Sequence, residues 1–177
     1  MQVAQRIAGT VSDYMHLPIL EVGPGMGVLT RFLLDAGHNL SVVEIDSESV
    51  AYLEEHFPEL KSRIIAGDFL KLDLGELFPT EFCVIGNYPY NISSQIFFKL
   101  LDFKDKIPCC SGMLQKEVAE RLAAPPGSKT YGILSVLLQA WFDVEYLFTV
   151  SETVFDPPPK VKSGVIRVTR NKRTSLG

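Results

Sequence analysis

Four residues in the middle of the chain, Asn87, Tyr88, Pro89 and Tyr90, have the types and spacing needed to hold a planar amine. The apolar residues 82–85 predict a buried strand that ends just before them. Pro89 fixes its own backbone angle and favours an extended conformation at Tyr88. We expect this turn to aim the Asn87 amide and the Tyr88 carbonyl into one pocket, with the Tyr90 ring as a wall. Such a pocket suits a nucleobase amine, although the same residues also suit an ordinary strand-ending turn.

A glycine-rich segment near the N-terminus indicates a second ligand site. Gly23 and Gly25 follow residues 18–22, which are apolar except for Glu21, and precede an amphipathic stretch. This order predicts a strand, a tight turn and a helix. Such a turn brings backbone N–H groups and a helix N-terminus close to a cofactor. Glu44 and Ile45 end a second predicted strand about 20 residues later, where a carboxylate accepts hydrogen bonds from ribose hydroxyls. Together they predict a nucleoside-containing cofactor.

The glycine spacing separates two kinds of cofactor. A dinucleotide fingerprint has the pattern G-x-G-x-x-G, whereas Gly23 to Gly27 follow G-x-G-x-G. Glu21 in the preceding strand, Glu44 and Asp46 make the surroundings acidic, which disfavours a pyrophosphate. The segment therefore fits a cationic sulfonium with an amino acid and a ribose better than a nicotinamide dinucleotide.

Asp68 and Phe69 follow a third predicted strand and extend the cofactor prediction. Asp68 is placed to accept a hydrogen bond from an adenine amine, while Phe69 offers its backbone N–H or its ring. The alternative is a simple turn in which the Asp68 side chain bonds to its own backbone.

The remaining sequence supplies the elements that must position these residues. Apolar or alternating runs predict strands at residues 18–22, 40–45, 63–66, 82–85, 107–114, 141–150 and 161–168. Stretches with one apolar face predict helices at residues 3–15, 28–34, 48–56, 93–101, 115–122 and 132–140, with Ser47 as an N-cap. Alternating strands and helices predict an α/β fold: one domain, residues 1–177, with a doubly wound sheet and an antiparallel edge.

Composition agrees with an ordinary globular domain. The 177 residues are 46% hydrophobic and 21% charged, which is enough for one sizeable core. No apolar run approaches the ~20 residues of a membrane span, and the N-terminus lacks a signal-peptide pattern. The three cysteines have neither disulfide-framework nor metal-site spacing, which favours a reducing cytoplasm, and the three scattered histidines predict no metal site.

Charge is unevenly distributed along the chain. The net charge is −4, and residues 1–100 carry more than twice as many acidic as basic side chains. No acidic residue follows position 157, where the basic residues are Lys160, Lys162, Arg167, Arg170, Lys172 and Arg173. This segment is a candidate for contact with a phosphate backbone, or else a solvated terminal strand.

The order of these motifs resembles that of the KsgA-type rRNA adenine dimethyltransferases. The resemblance rests on residues 21–27, 44–46, 67–69, 87–93 and 155–161, and residues 115–119 and 131–135 add to it. The motifs span almost the whole chain in the family's order. The Erm methyltransferases, which act on 23S rRNA, share much of this pattern and are the nearest alternative.

The resemblance implies a class I, Rossmann-like fold: a seven-stranded sheet with an antiparallel last strand that binds S-adenosylmethionine. On this basis Gly23 and Gly25 pass close to the methionine part, Glu44 holds the ribose and Asp68 holds the adenine amine. The full set of implied cofactor-binding residues is Glu21, Gly23, Gly25, Glu44, Ile45, Asp68, Phe69 and Asn87.

The resemblance also implies a substrate and partners. The family methylates the N6 amines of two adjacent adenosines near the 3′ end of small-subunit rRNA and is linked to assembly of the small ribosomal subunit. The implied catalytic residues are Asn87, Tyr88, Pro89, Tyr90 and Phe155, with Tyr90 and Phe155 on the two faces of a flipped-out base. We expect a monomer that acts on a pre-small-subunit particle without a metal.

The chain departs from the family pattern at both ends. The family's N-terminal Gly-Gln-aromatic segment and its C-terminal helical domain are absent, so we expect a catalytic-domain fragment. Three further interpretations stay open: an assembly factor with a vestigial cofactor site, a DNA adenine methyltransferase and a nicotinamide dehydrogenase.

Overall fold

The computed structural model describes residues 3–129, 131–151 and 162–171, and one sheet runs through them. The strands are β1 (Ile19–Val22), β2 (Leu40–Glu44), β3 (Ile64–Ala66), β4 (Cys83–Asn87), β5 (Cys109–Gln115), β6 (Phe142–Val150) and β7 (Ser163–Arg170). The helices are α1 (Val3–Gly9), α2 (Val28–Asp35), α3 (Ser47–His56), α4 (Leu74–Leu77), α5 (Ser93–Asp102), α6 (Lys116–Ala123) and α7 (Ile133–Trp141).

The sheet has seven strands in the order β3-β2-β1-β4-β5-β7-β6. β1 to β5 are parallel, and β7 runs antiparallel to both β5 and β6. The predicted Rossmann-like α/β sheet with an antiparallel last strand is therefore confirmed. The expected antiparallel edge is confirmed as well, because the antiparallel pair β7 and β6 lies at one side of the sheet, with β6 outermost. Val165, Ile166 and Val168 are fully buried, as expected for a strand covered on both faces.

Two hydrophobic layers cover the sheet. On one face, α1, α2 and α3 pack through Ile7, Leu33 and Leu53 against the strands. On the other face, α5, α6 and α7 supply a layer that includes Phe97 and Leu122. The helices thus hold the strands in a three-layer arrangement that fixes the positions of the strand ends.

The end of the first helix and the N-cap of the third helix differ from the prediction. The first helix ends at Gly9 rather than at residue 15, and a separate 3-10 turn, Ser12–Tyr14, follows it. Glycine is a poor helix former, which accounts for the early end. Asp46 rather than Ser47 caps α3, since its carboxylate accepts a hydrogen bond from the Ser49 N–H at 3.0 Å.

β4 is longer than predicted, and this changes the place of Asn87. The sequence predicts a strand that ends at residue 85, but Gly86 and Asn87 continue it by pairing with Gly112 and Met113 of β5. Asn87 is therefore the last residue of β4, and the Asn87–Tyr90 turn starts from the strand end.

Two members of the basic C-terminal segment already have partners. Arg167 contacts the Glu145 carboxylate at 3.2 Å, and Arg170 forms an ion pair with Glu81. These two guanidiniums stabilise the sheet edge and are not free for a phosphate backbone. Lys162 lies in the described part and is exposed. The other basic residues of the segment, Lys160, Lys172 and Arg173, lie outside the described residues, as does Phe155.

Candidate active site

The predicted site residues in the described part of the chain meet at one edge of the sheet, whereas Phe155 lies outside that part. Val22 of β1 lies beside Val43 of β2 and Gly86 of β4, so these parallel strands end side by side. Hydrogen bonds hold the first residues beyond the strands, with Gly23 N donating to Val43 O and Gly67 N to Glu44 O, both at 2.9 Å. Ligands of open α/β sheets bind at the carboxyl ends of strands, and this edge is such a place.

The glycine turn has a backbone that suits glycine. Gly23, Gly25 and Gly27 have φ values of 68°, 57° and 85°, in the region that other L-residues rarely adopt. A Cβ at Gly27 would overlap the Phe57 ring, whereas a Cβ at Gly25 would meet no atom within 4 Å. The space beside Gly25 is thus open at the sheet edge, where a ligand can approach the backbone closely.

Glu44 ties this turn to the end of β2. One of its carboxylate oxygens accepts from Gly25 N at 2.9 Å, and the other accepts from Asp46 N at 3.0 Å. Each oxygen keeps a further lone pair, which suits a pair of ribose hydroxyls. The neighbouring Ile45 is 72% exposed although it is apolar, and it lies outside both core clusters. An apolar surface next to a hydroxyl-binding carboxylate fits a nucleoside.

Glu21 is a carboxyl group held away from water. It is only 1% exposed, and Thr30 of α2 donates a hydrogen bond to it at 2.6 Å. Burial raises its pKa to about 8, with a smaller rise from the charge of Glu44 and an opposing effect of the Thr30 hydrogen bond. A cation near Glu21 is therefore stabilising, because a positive charge favours the ionised carboxylate form of this side chain.

Asp68 and Phe69 begin the segment after β3. One Asp68 oxygen accepts from Leu70 N at 3.0 Å, which is the simple turn given above as the alternative. Among the described residues, no hydrogen-bond donor reaches the second oxygen. The Phe69 ring is buried in the core, so a ligand at this edge meets the backbone of Phe69 rather than its ring. Lys99 of α5 donates to the carbonyls of Phe69 and Leu72, both at 2.5 Å, and braces this segment.

The Asn87–Tyr90 turn lies directly beside the glycine turn. A Cβ built on Gly23 would be 3.9 Å from the Pro89 Cδ atom. Asn87 is exposed, and its side chain forms no hydrogen bond with any described residue. Tyr90 is half-buried, and its hydroxyl bonds to the Ser163 hydroxyl at the start of β7. Next to the space beside the glycine turn there is thus an amide that no described residue engages.

The Tyr88 ring lies in the core instead of facing this space. It is 1% exposed, and its hydroxyl donates to the Ser111 carbonyl at 2.7 Å. Gly86 and Gly112 make room for the ring, since a Cβ at these positions would lie 3.1 Å and 2.6 Å from ring carbons. Burial raises the Tyr88 pKa, with the Cys110 thiol adding to the rise. Only the backbone of Tyr88 is therefore left for a ligand.

Sequence reasoning missed three side chains that position this site: Thr30, Lys99 and Ser163. Thr30 carried a weak signal, because it lies in the first turn of the helix that follows the glycines. Lys99 and Ser163 carried none, since their partners are distant in sequence. Within the described ranges, no three His, Cys, Asp or Glu side chains converge as metal ligands, and no helix is long and apolar enough to span a membrane.

The strand order, the reversed seventh strand and the acidic strand end beside a glycine turn define the class I methyltransferase fold. The chain belongs to the ribosomal RNA adenine dimethylase family, whose model matches residues 1–175. It is 77% identical over its full length to the ribosomal RNA small subunit methyltransferase A of Parabacteroides distasonis and covers 66% of that relative. The Porphyromonas gingivalis protein of the same name is 67% identical over 99% of the chain, which covers 69% of it. The chain thus spans about two thirds of the length of these relatives.

Solved structures support the same class. The 23S rRNA methyltransferase ErmE matches with a TM-score of 0.83 and 30% identity, over 98% of this chain and 69% of that chain. A dimethyladenosine transferase from Plasmodium falciparum matches with a TM-score of 0.79 and 28% identity, over 94% of this chain and 62% of that chain.

Proposed function

We propose that this protein transfers methyl groups from S-adenosylmethionine to the N6 amines of two adjacent adenosines near the 3′ end of small-subunit rRNA. The product is N6,N6-dimethyladenosine, and the reaction belongs to assembly of the small ribosomal subunit in the cytoplasm. Residues 1–177 act as the catalytic domain. The observation that carries the proposal is the exposed Asn87 amide at the end of β4, which has no hydrogen-bond partner among the described residues and lies beside the glycine turn that carries Gly23.

The relatives favour small-subunit rRNA over 23S rRNA as the substrate. The relative named as a small-subunit methyltransferase shares 77% of its aligned residues with this chain, whereas ErmE shares 30%. The family model, described as a ribosomal RNA adenine dimethylase, also favours RNA over DNA and methyl transfer over hydride transfer.

The residues at the sheet edge fit the proposed cofactor. The Glu44 carboxylate would hold the ribose hydroxyls, and the exposed Ile45 would cover an apolar face of the nucleoside. The free Asp68 oxygen would accept from the adenine amine, next to the Phe69 N–H. Gly23 and Gly25 leave room for the methionine part, whose ammonium group would be attracted by Glu21. When bound, this cofactor supplies a methyl group that is attached to a cationic sulfonium sulfur. After the transfer, that sulfur is left as a neutral thioether.

The Asn87 side chain and the Tyr88 carbonyl would activate the substrate amine. An adenine amine is a poor nucleophile because its lone pair is delocalised into the ring. Two acceptors on its N–H groups favour a pyramidal nitrogen whose lone pair is available to form the new N–C bond. Once the N–C bond has formed, the nitrogen is cationic and releases one proton to water. No base is therefore needed before the methyl moves, and positioning supplies most of the rate. Tyr90, Pro89 and Phe155 would enclose the base.

The second methylation requires one of these contacts to be given up. A monomethylated amine has a single N–H, so only one acceptor, Asn87 or Tyr88, remains engaged. Because Asn87 is exposed whereas the Tyr88 backbone is held by its N–H bond to the Met113 carbonyl at 2.9 Å, the Asn87 side chain is the one free to move.

Replacement of Asn87 by alanine tests the proposal. We expect Asn87→Ala to lower kcat for dimethylation of small-subunit rRNA about 100-fold while cofactor affinity falls less, since positioning groups contribute on this order. Activity is measured by mass spectrometry of nucleosides from precursor RNA. Asn39→Ala, at the opposite end of the sheet, is the matched control and is expected to keep the parent rate. An Asn87→Ala variant as fast as the parent would remove Asn87 from the mechanism.

Two comparisons separate the remaining interpretations. Calorimetry with S-adenosylmethionine distinguishes an enzyme from an assembly factor with a vestigial site, because only the enzyme requires cofactor binding. Methyl incorporation into RNA and duplex DNA is compared in parallel. A preference for DNA, or a folded parent that binds no cofactor, would contradict the proposed function.

A further inference from the structure

A cleft beside the proposed site has no role in the chemistry described above. It has a volume of about 340 Å³ and is lined by Gln115, Lys116, Glu117, Glu120 and Lys162. It opens where β5 ends and α6 begins, with the residue that precedes β7 on its other side. Its volume lies at the lower end of the ~300–1,000 Å³ usual for ligand sites, which suits one nucleotide rather than a larger ligand.

The cleft is adjacent to the Asn87–Tyr90 turn. Asn87 pairs with Met113 of β5, two residues before Gln115, and the Tyr90 hydroxyl bonds to Ser163, next to Lys162. Neighbouring strands lie about 4.8 Å apart, so the cleft is roughly 5–10 Å from Asn87 along the sheet edge. A nucleic acid with one base at Asn87 must place an adjoining nucleotide within this distance.

Two polar groups in the cleft have no partner among the described residues. Lys116 pairs with Glu120 at 3.4 Å, and its N–H donates to the Lys162 carbonyl at 3.0 Å. In contrast, neither the Gln115 carboxamide nor the Lys162 ammonium contacts a described hydrogen-bonding or ionic partner. One free amide and one free cation, flanked by the carboxylate of Glu117, do not suit an isolated anion.

We propose that this cleft binds the nucleotide adjacent to the methylated adenosine. Gln115 pairs with the N6 and N7 atoms of a neighbouring adenine, because a carboxamide matches that donor and acceptor pair. Lys162 contacts the phosphate that joins the two nucleotides. The inference rests on the proposed function and adds a second, base-reading subsite to it.

The test uses short RNAs in which only the neighbour of the target adenosine changes. The neighbour is adenosine, purine riboside without the amine, or an abasic site, placed in turn on the 5′ and 3′ sides. Methyl transfer at the target position alone is measured by mass spectrometry of RNA fragments. For the parent protein we expect kcat/KM to fall roughly ten-fold when the neighbour on one side loses its amine or its base.

Gln115→Ala is expected to abolish this discrimination. All the RNAs are then methylated with the low kcat/KM that the parent shows for RNAs whose neighbouring nucleotide lacks the amine or the base. Gln95→Ala, the same change at an exposed position on α5, is the control and keeps the parent's preference. Lys162→Ala is expected to lower the rate of methyl transfer to every RNA by a similar factor. It is also expected to reduce the slope of the logarithm of the RNA binding constant against the logarithm of the salt concentration by about one. Lys61→Ala removes the same charge on the far side of the sheet and is expected to change neither. Unchanged melting temperatures confirm that all four variants fold.

Three outcomes would overturn the inference. If the parent protein methylates the target adenosine with the same kcat/KM whatever the neighbouring nucleotide on either side, it has no such subsite. A Gln115→Ala variant that keeps the parent's discrimination shows that another residue reads the neighbour. A folded parent that transfers no methyl to any RNA refutes the proposed function itself, and the inference with it.

Discussion

At the scale of single residues, the site is dominated by two acidic groups that the fold keeps from water. Glu21 is 1% exposed and Glu44 is 7% exposed. Two backbone N–H groups satisfy Glu44, whereas a single hydroxyl, from Thr30, is the described partner of Glu21. Burial raises the pKa of Glu21, and a cation beside this carboxyl group is therefore stabilising.

The first prediction concerns the pH dependence of the unfolding free energy that Glu21 creates. Its pKa of about 8 in the folded state exceeds its ordinary value of 4.5, so the folded protein binds a proton that the unfolded chain releases. The stabilisation that comes from protonated Glu21 in the folded state is fully present below pH 4.5 and declines as pH rises towards 8. We expect the stability of Glu21→Gln relative to the parent to increase by about 3 kcal/mol from pH 5.5 to pH 8.

The measurement is urea unfolding of parent and variant at both pH values. Glu54→Gln, an exposed position on α3, is the control and is expected to follow the parent. If the unfolding free energies of Glu21→Gln and the parent change in parallel with pH, then Glu21 titrates normally and its proposed attraction for a cation loses its basis.

The residue scale also separates backbone roles from side-chain roles. Tyr88 belongs to the motif that the sequence singles out, but its ring is a core group that fills a slot over Gly86 and Gly112. Its carbonyl is the part proposed to face the substrate. The ring therefore fixes the position of the backbone acceptor beside Asn87.

At the scale of elements, α5 connects the two halves of the site. It begins just after the Asn87–Tyr90 turn, and its residue Lys99 reaches back to the segment after β3. The ammonium group also lies 5.2 Å from the centre of the Phe69 ring. Burial lowers the Lys99 pKa, while the charge of Asp68 opposes that shift. One helix thus positions both the substrate turn and the proposed adenine-binding residue.

The second prediction is that Lys99 positions the cofactor without contacting the reacting atoms. Lys99→Met removes two charged hydrogen bonds to the segment that carries Asp68 and Phe69. We expect KM for S-adenosylmethionine to rise roughly ten-fold, with kcat and KM for RNA changed less than three-fold. Steady-state kinetics with each substrate varied in turn provides the measurement.

Two further variants identify the cause. Lys99→Arg keeps the charge and the donors and is expected to restore most of the cofactor affinity. Lys71→Met, an exposed lysine of the same segment, is expected to leave all constants at parent values. Equal losses in kcat and in both KM values for Lys99→Met would indicate general damage to the fold instead of positioning.

At the scale of the whole molecule, the last strand closes the sheet. β7 pairs with β5 along seven positions and with β6 along its full length, so it joins two strands that do not pair with each other. It also carries Ser163, which holds Tyr90, and Arg170, which holds Glu81. β7 therefore contributes a hydrogen bond at the site and an ion pair at the opposite end of the sheet.

The third prediction is that the fold requires β7. A chain that stops before Lys162 exposes the paired edges of β5 and β6 and the apolar layers that Val165 and Ile166 complete. We expect it to show no cooperative urea transition and a strongly weakened near-ultraviolet circular dichroism signal. A chain that stops after Asn171 keeps β7 complete and is the control. Cooperative unfolding of the shorter chain would show that β1 to β6 form a stable unit by themselves.

The features that sequence determines by itself are those that depend on local conformation. A glycine turn between an apolar strand and an amphipathic helix, with Glu44 at the next strand end, needs only the residues of one β-α-β unit. The apolar and alternating runs likewise predicted the strands and the fold class, because a strand covered on both faces is continuously apolar whereas a strand with one solvent face alternates. The predicted positions of Gly23, Gly25, Glu44 and Asp68 at one sheet edge followed from strand direction alone.

Only the tertiary structure decided the features that join distant parts of the chain. The place of β7 inside the sheet, the burial of the Tyr88 ring and the bridge from Lys99 to the Phe69 carbonyl all join groups more than 20 residues apart. The pairing of Arg167 with Glu145, which removes a cation from the predicted basic segment, is of the same kind. Such contacts depend on which elements pack together, and that is settled by burial of apolar surface over the whole domain instead of by any local pattern.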